Sequence, residues 1–226
     1  PGSEERNAHI PGHWRRKLCG MMSHTDDGLA RVVAAFKAKG MWDSTALFLT
    51  SDNGGTARQY PHFNKPLRAG KGTYYEGGLR VPFIAAGPGI KAGTYSAVPV
   101  VGYDFLATFA DLAGSPEKLP EGIEGGTFKP VLLNGGEGVV RRSRPGLHFY
   151  RPLDSVLIRD GHKFRRTHRT GEIELYDLSR DLSETANLTA AAPRLAKRMQ
   201  GALEEWIKEI DATTPSPLDR RVRRRP

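Results

Sequence analysis

From Thr45 to Thr50 the chain reads Thr-Ala-Leu-Phe-Leu-Thr, a short and almost unbroken apolar run that gives way at once to Asp52-Asn53-Gly54-Gly55. Such runs suit strands covered on both faces within a mainly parallel sheet, which in turn requires helices packed on either side. A second run, Val81 to Ala86, is closed by Gly87-Pro88-Gly89. The connection between them, residues 56 to 79, is rich in Gly and polar groups, and connections this long in a compact domain carry function or lack order. Ligand sites in open α/β sheets lie outside the carboxyl ends of the strands, so the Asp52 corner is where chemistry is expected.

Helical periodicity flanks the two runs. Ser23 or Thr25 is expected to cap a helix with Asp26 and Asp27 in its first turn, with Leu29, Val32, Val33 and Phe36 packed and Gly40 as the stop. Tyr103 to Ala113 repeats the pattern, with Phe105, Leu106, Phe109 and Leu112 on one face. After about residue 140 the period changes. Leu147 to Tyr150, Ser155 to Arg159, Lys163 to His168 and Ile173 to Leu178 read as short strands, and Asp160-Gly161 predicts a tight hairpin between two of them. Leu195, Met199, Leu203, Trp206 and Ile210 then recur at helical spacing, predicting a long helix packed on a small antiparallel sheet. The expected architecture is α/β, with a core over residues 1–140, a sheet-plus-helix subdomain over 141–212 and a basic disordered tail over 213–226.

Composition narrows the classes. A chain of 226 residues with 38% hydrophobic content suits an α/β domain with an appended subdomain, and no apolar run approaches the roughly 20 residues of a membrane span. Cys19 is the only cysteine, which excludes an internal disulfide and a cysteine-rich zinc site. The formal charge is +9, yet without residues 219–226 the balance is 29 basic against 24 acidic residues, or +5. Basicity is therefore largely a property of the tail, which lacks interleaved aromatics, and no specific nucleic-acid partner is expected. Residues 1–16 resemble neither a signal nor a transit peptide, so compartment stays open, as does oligomeric state.

Asp52 and Asn53 offer adjacent hard oxygen donors, which suit Ca²⁺ or Mg²⁺ over Zn²⁺, although Asp-Asn-Gly is also simply a good turn. Lys71 stands between Gly70 and Gly72, which let the backbone approach a ligand closely; its ammonium suits a sulfate or phosphate oxygen, and a plain loop lysine is the alternative. Glu76 is expected to brace the loop. His62 gains interest from its place in the long connection, and no Ser/His/Asp triad follows from spacing.

Taken together, Leu47 to Gly55 and Pro66 to Pro82 resemble the second half of a type I sulfatase, of the alkaline-phosphatase-like superfamily. The resemblance extends through Met22-Ser23-His24-Thr25-Asp26-Asp27-Gly28, Gly87-Pro88-Gly89, Glu174-Leu175-Tyr176-Asp177-Leu178 and Glu184-Thr185-Ala186-Asn187-Leu188, covering roughly residues 17 to 211. It implies that Asp52 and Asn53 are ligands of a catalytic Ca²⁺ and that Lys71 contacts the substrate sulfate and stabilises the departing oxygen. Export is implied by the family alone. In this family a Cys or Ser within Cys/Ser-x-Pro/Ala-x-Arg becomes formylglycine, whose hydrate attacks sulfur. Here Cys19-Gly20-Met21-Met22-Ser23 lacks both the proline and the arginine, and Ser143-Arg144-Pro145-Gly146-Leu147 has leucine in place of arginine. The family's amino-terminal aspartate pair is also missing, and Asp26 and Asp27 are not promoted to it. The chain thus reads as the carboxyl-terminal portion of a sulfatase, expected to show no appreciable turnover alone, with a sulfated small molecule or glycan as the whole enzyme's substrate. A related phosphoesterase or phosphonate hydrolase, and a non-catalytic binder of sulfated ligands, are the competing readings. Arg151, with Arg165, Arg166 and His168, is expected either to meet a polyanionic sugar or to face solvent.

Overall fold

The computed structural model describes residues 12–57, 60 and 63–213, so His62 and the arginine-rich tail lie outside the described residues. Two compact units emerge from the contacts, one of Pro1–Phe48 with Ala85–Ala92 and one of Leu49–Ile84 with Gly93–Pro226. Among the described residues no helix is long and apolar enough to cross a membrane.

Helix α1 runs over His13–Ala38, ten residues earlier than the expected cap at Ser23. Thr25 does not cap: it sits mid-helix, where its hydroxyl donates to Met21 O at 3.0 Å. A hydroxyl bonded back onto the preceding turn is tolerated inside a helix, so a capping residue type does not by itself mark a start. The predicted stop holds. Gly40 takes φ 66°, its N–H donates to Lys37 O at 3.0 Å and Met41 N–H reaches Phe36 O at 2.9 Å, the paired bonds of a Schellman ending. The helix is less packed than its periodicity suggests: Leu29, Val33 and Phe36 are half-buried, Val32 is exposed, and only Gly20 is buried. A Cβ at Gly28 meets nothing within 4 Å. Gly28→Ala is therefore expected to raise the unfolding free energy by about 0.5–1 kcal/mol in urea denaturation, through lower helix entropy cost alone.

Strand β1 (Leu47–Thr50) pairs with β2 (Phe83–Ala86) in a two-stranded sheet. Their residues are half-buried or exposed where the apolar runs predicted cover on both faces. Helix α2 (Glu76–Leu79) is a single turn within the long connection. Helix α3 (Asp104–Leu112) forms where expected, but turns a different side inward. Asp104, Ala107 and Thr108 are buried, while Leu106 and Phe109 are 54% and 48% exposed. The polar side wins because its partners satisfy it. Asp104 accepts from Val101 N, Gly126 N and both Nε and Nη2 of Arg142, and Thr108 Oγ1 accepts from Phe128 N. A short helix α4 (Lys129–Leu133) follows.

The last part folds as its patterning predicts. Strands β3 (Leu147–Arg151), β4 (Asp154–Arg159), β5 (His162–Thr167) and β6 (Ile173–Asp177) form an antiparallel sheet in sequence order. Asp160 and Gly161, at φ 50° and 74°, make the expected hairpin turn. Helix α5 (Pro193–Thr213) lays Ala196, Met199, Leu203 and Trp206 on Leu157, Phe164 and Leu175, the main apolar cluster. Register puts those three strand residues on one face, because Leu157 pairs with Phe164 and Phe164 with Leu175. The opposite face carries Arg151, Asp154, Arg165, Glu174, Lys163 and Tyr176, also paired across strands. Alternation therefore gives this sheet one greasy side and one charged side, with Asp154, Lys163, Glu174 and Tyr176 buried on the charged one.

Candidate active site

The Asp52 corner and the lysine loop are stitched together by their backbones. Gly54 N–H donates to Gly78 O at 3.1 Å and Lys71 N–H to Gly55 O at 3.0 Å. Asn64 fills the seam: its Oδ1 accepts from Gly55 N, and its Nδ2 donates to Gly55 O and Ala69 O, each at 2.8 Å. A Cβ at Gly54 would fall 1.7 Å from Gly77 O, and one at Gly70 would fall 2.2 Å from Gly55 O. Gly70 thus serves chain-to-chain approach, where the sequence pointed to approach by a ligand. Gly72 takes φ 81° in open space and supplies the turn after Lys71.

Asp52 and Lys71 are exposed and Asn53 is half-buried. Among the described residues no carboxylate pairs with the Lys71 ammonium and nothing hydrogen-bonds the Asp52 carboxylate. An anion or cation arriving at this edge displaces no partner among the described residues.

Glu76 lies deeper, as one corner of a buried charge triad. Its Oε1 is 2.7 Å from Lys163 Nζ and its Oε2 2.6 Å from Arg80 Nε, while its N–H donates to Glu184 Oε2 at 2.7 Å. Lys163 also reaches Glu184 Oε1 at 2.8 Å and Tyr74 O at 3.0 Å. The loop is tied further along: Tyr75 OH bonds Glu174, which accepts from Arg165 at 2.5 Å, and Arg68 stacks on the Tyr75 ring at 3.9 Å while donating to Tyr176 OH. The charged face of the small sheet is therefore the seat of the lysine loop. Arg165 is held by Asp154 at 2.8 Å, Arg166 pairs with Glu204 of α5 at 2.6 Å, and His168 Nε2 meets Ser155 Oγ at 2.5 Å. Arg151 is likewise engaged, by Asp154 and by Gly72 O.

These contacts set the protonation states. Burial would raise the Glu76 carboxyl, but Lys163 and Arg80 outweigh it and hold it below the usual range. Against the same burial, Arg151 and Arg165 lower Asp154, and Arg165 with Tyr176 and Tyr75 lowers Glu174. Glu184 moves the other way, raised by burial beyond what Lys163 offsets. Each lowered carboxyl stabilises the fold above its unfolded pKa and loses that contribution as pH falls through its folded value, whereas Glu184 stabilises below its unfolded pKa and loses its contribution as pH rises through its folded one. With three groups against one, the unfolding free energy is expected to fall on acidification from about pH 6 to about pH 3. Urea unfolding across that range tests it, and stability that rises on acidification refutes it.

Asp52 and Asn53 fit a hard cation in donor type but not in number, since Ca²⁺ takes about six to eight oxygens. Among the described residues no group of three or more His, Cys, Asp and Glu side chains is placed to hold a metal. Cys19 lies within α1 with a free thiol, and Ser143 Oγ approaches Glu124 O at 3.5 Å. Neither has the sequence context of a formylglycine precursor. The sequence assigned no part to Asn64, Lys163 or Glu184, although Asn64 lies in the long connection, Lys163 opens a predicted strand and Glu184 falls within a family-like segment.

An α/β core whose strand end carries an oxygen-donor corner laced to a lysine loop, with a small antiparallel sheet and a long helix behind it, defines the class of alkaline-phosphatase-like folds. The sulfatase family model matches residues 3–115. A protein named Sulfatase from Formosa agariphila is 32% identical over 236 residues, covering 90% of this chain and 42% of the relative. The solved structure of Ps i-CgsB in complex with k-i-k-neocarrahexaose superposes with a TM-score of 0.76 at 26% identity, over 90% of this chain and 45% of that one. The structure of BT4656 in complex with its substrate D-Glucosamine-2-N, 6-O-disulfate gives a TM-score of 0.71 at 25% identity, over 94% of this chain and 46% of that one. The chain belongs to the sulfatase family. It spans less than half the length of these relatives.

Proposed function

We propose that this chain supplies the sulfate-contacting lysine and part of the metal-binding corner of a sulfuric ester hydrolase, which converts a sulfate ester to an alcohol and sulfate. A sulfated sugar or small molecule is the substrate class, in keeping with the disulfated glucosamine bound by one structural neighbour. The observation that carries the reading is the backbone junction of Lys71 with Gly55, which ties a lysine to the Asp52 corner with neither the ammonium nor the carboxylate paired among the described residues. Lys71 binds a sulfate oxygen and offsets the negative charge that grows on the departing oxygen. Asp52 and Asn53 would be two ligands of a Ca²⁺ or Mg²⁺ ion whose remaining donors lie outside the set described, so the work assigned to these residues is binding and charge stabilisation. Glu76 acts from behind, through Lys163.

NMR titration of the purified chain with p-nitrophenyl sulfate tests the assignment. Lys71→Ala is expected to weaken binding by about tenfold to a hundredfold, the value of one charge-assisted hydrogen bond. Unchanged affinity sinks it. Tighter binding of p-nitrophenyl phosphate than of the sulfate would favour the phosphoesterase reading. The absence of a three-ligand group among the described residues favours, as second reading, a binder of sulfated ligands that does no chemistry. Release of p-nitrophenol by the chain would exclude the binder.

A further inference from the structure

Arg151 was expected at the substrate or in solvent, and its guanidinium is used otherwise. Nε and Nη2 grip the two carboxylate oxygens of Asp154, which is 1% exposed, and Nη1 donates to Gly72 O. The guanidinium also lies over the Tyr74 ring, 4.8 Å from its centroid. Three of the five N–H donors of the fork are thus committed within the protein, two along one edge to Asp154 and one to the Gly72 carbonyl. The contact that matters is the one to Gly72. Lys71 is flanked on its amino side by its own N–H bond to Gly55 O and on its carboxyl side by the Arg151 bond to the next carbonyl. Thr73 N–H and Oγ1 close the turn on Gly70 O, at 3.1 and 2.8 Å. Gly72 takes φ 81°, and a Cβ placed there would meet nothing within 4 Å.

We propose that Arg151 is a positioning residue for Lys71: anchored on buried Asp154, it fixes the Gly72 carbonyl and thereby the point from which the Lys71 ammonium meets an anionic ester. This rests on the reading of Lys71 as the anion-contacting group. Arg165 shares the anchor, its Nε lying 2.8 Å from Asp154 Oδ2, so Asp154 remains charged and placed when Arg151 is changed. The small sheet then contributes to the site without touching the substrate. A lysine at 151 keeps the charge but, as a single point donor, does not span Asp154 and Gly72 together.

A double-mutant cycle on the full chain, read by NMR titration with p-nitrophenyl sulfate, separates the alternatives. Arg151→Ala is expected to weaken binding about tenfold when Lys71 is present and to change nothing in the Lys71→Ala background, with faster amide exchange at residues 72–74. Arg151→Lys is expected to behave like Arg151→Ala in binding while keeping the melting temperature closer to the parent, which retains a test should the alanine variant fold poorly. Equal weakening in both backgrounds would mean that Arg151 meets the anion directly and overturns the proposal, as would unchanged affinity and exchange in both Arg151 variants. Parental binding that Lys71→Ala does not weaken overturns the Lys71 reading instead, and with it the role assigned to Arg151.

Discussion

Replacing Lys163 with methionine is expected to destabilise the protein by about 3–5 kcal/mol, because it removes the one cation shared by two buried carboxylates. Lys163 and Glu184 are wholly buried and Glu76 nearly so, with Nζ–O separations of 2.7 and 2.8 Å. A Met side chain fills comparable volume, so the loss reports charge rather than a cavity. Glu184→Gln added to Lys163→Met is expected to recover part of the loss: one stranded charge is gone, while the amide oxygen still accepts from Glu76 N–H. Chemical denaturation of the two variants decides the matter. A loss below about 1 kcal/mol for Lys163→Met would show that the triad is no more than a surface-like pair.

The second large effect is steric. Gly54→Ala puts a methyl carbon 1.7 Å from Gly77 O and 2.7 Å from Gly77 C, both backbone atoms that no rotamer change can move aside. The strand end and the lysine loop must separate, breaking the Gly54 N–H bond to Gly78 O and pulling on the Lys71 N–H bond to Gly55 O. We expect a loss of about 3 kcal/mol or more, at the upper end of overpacking costs. Gly72→Ala is the control: it adds a methyl to open space but demands φ 81°, and should cost about 1–2 kcal/mol. Thermal and urea unfolding of the pair measure this, and a Gly54→Ala loss no larger than that of Gly72→Ala would mean that the close approach to Gly77 yields easily.

Much of the secondary structure was legible because it depends on local rules. Asp160-Gly161 dictates its hairpin, Gly40 its Schellman stop, and the three-and-four spacing from Leu195 to Ile210 a helix with one apolar side. Those rules fail where burial is decided by partners. Asp104 and Thr108 are inside α3 because Val101, Gly126, Phe128 and Arg142 satisfy them, and all of these but Val101 lie 20 to 38 residues further along the chain. Thr25 carries a capping side chain, yet the helix runs straight through it.

The candidate site divides along the same line. By itself the sequence determined residue chemistry and local geometry: hard oxygens at Asp52 and Asn53 after a strand, an ammonium at Lys71 in a glycine turn, and the alternation that gives the small sheet two unlike faces. Only the tertiary structure decided what those faces meet. Seen alone, Arg151 and Arg165 suit solvent or a polyanionic sugar, and nothing near Lys163 or Glu174 signals burial, since ionised groups are costly to bury without partners. Neighbouring strands supply Asp154 and the Arg165–Glu174 pair, and residues 72 to 76, 79 to 90 positions ahead of the cations they meet, add the Gly72 and Tyr74 carbonyls, the Tyr75 hydroxyl and the Glu76 carboxylate. Long-range pairing of this kind leaves no periodic trace, because its energy depends on two segments arriving together and on neither one alone.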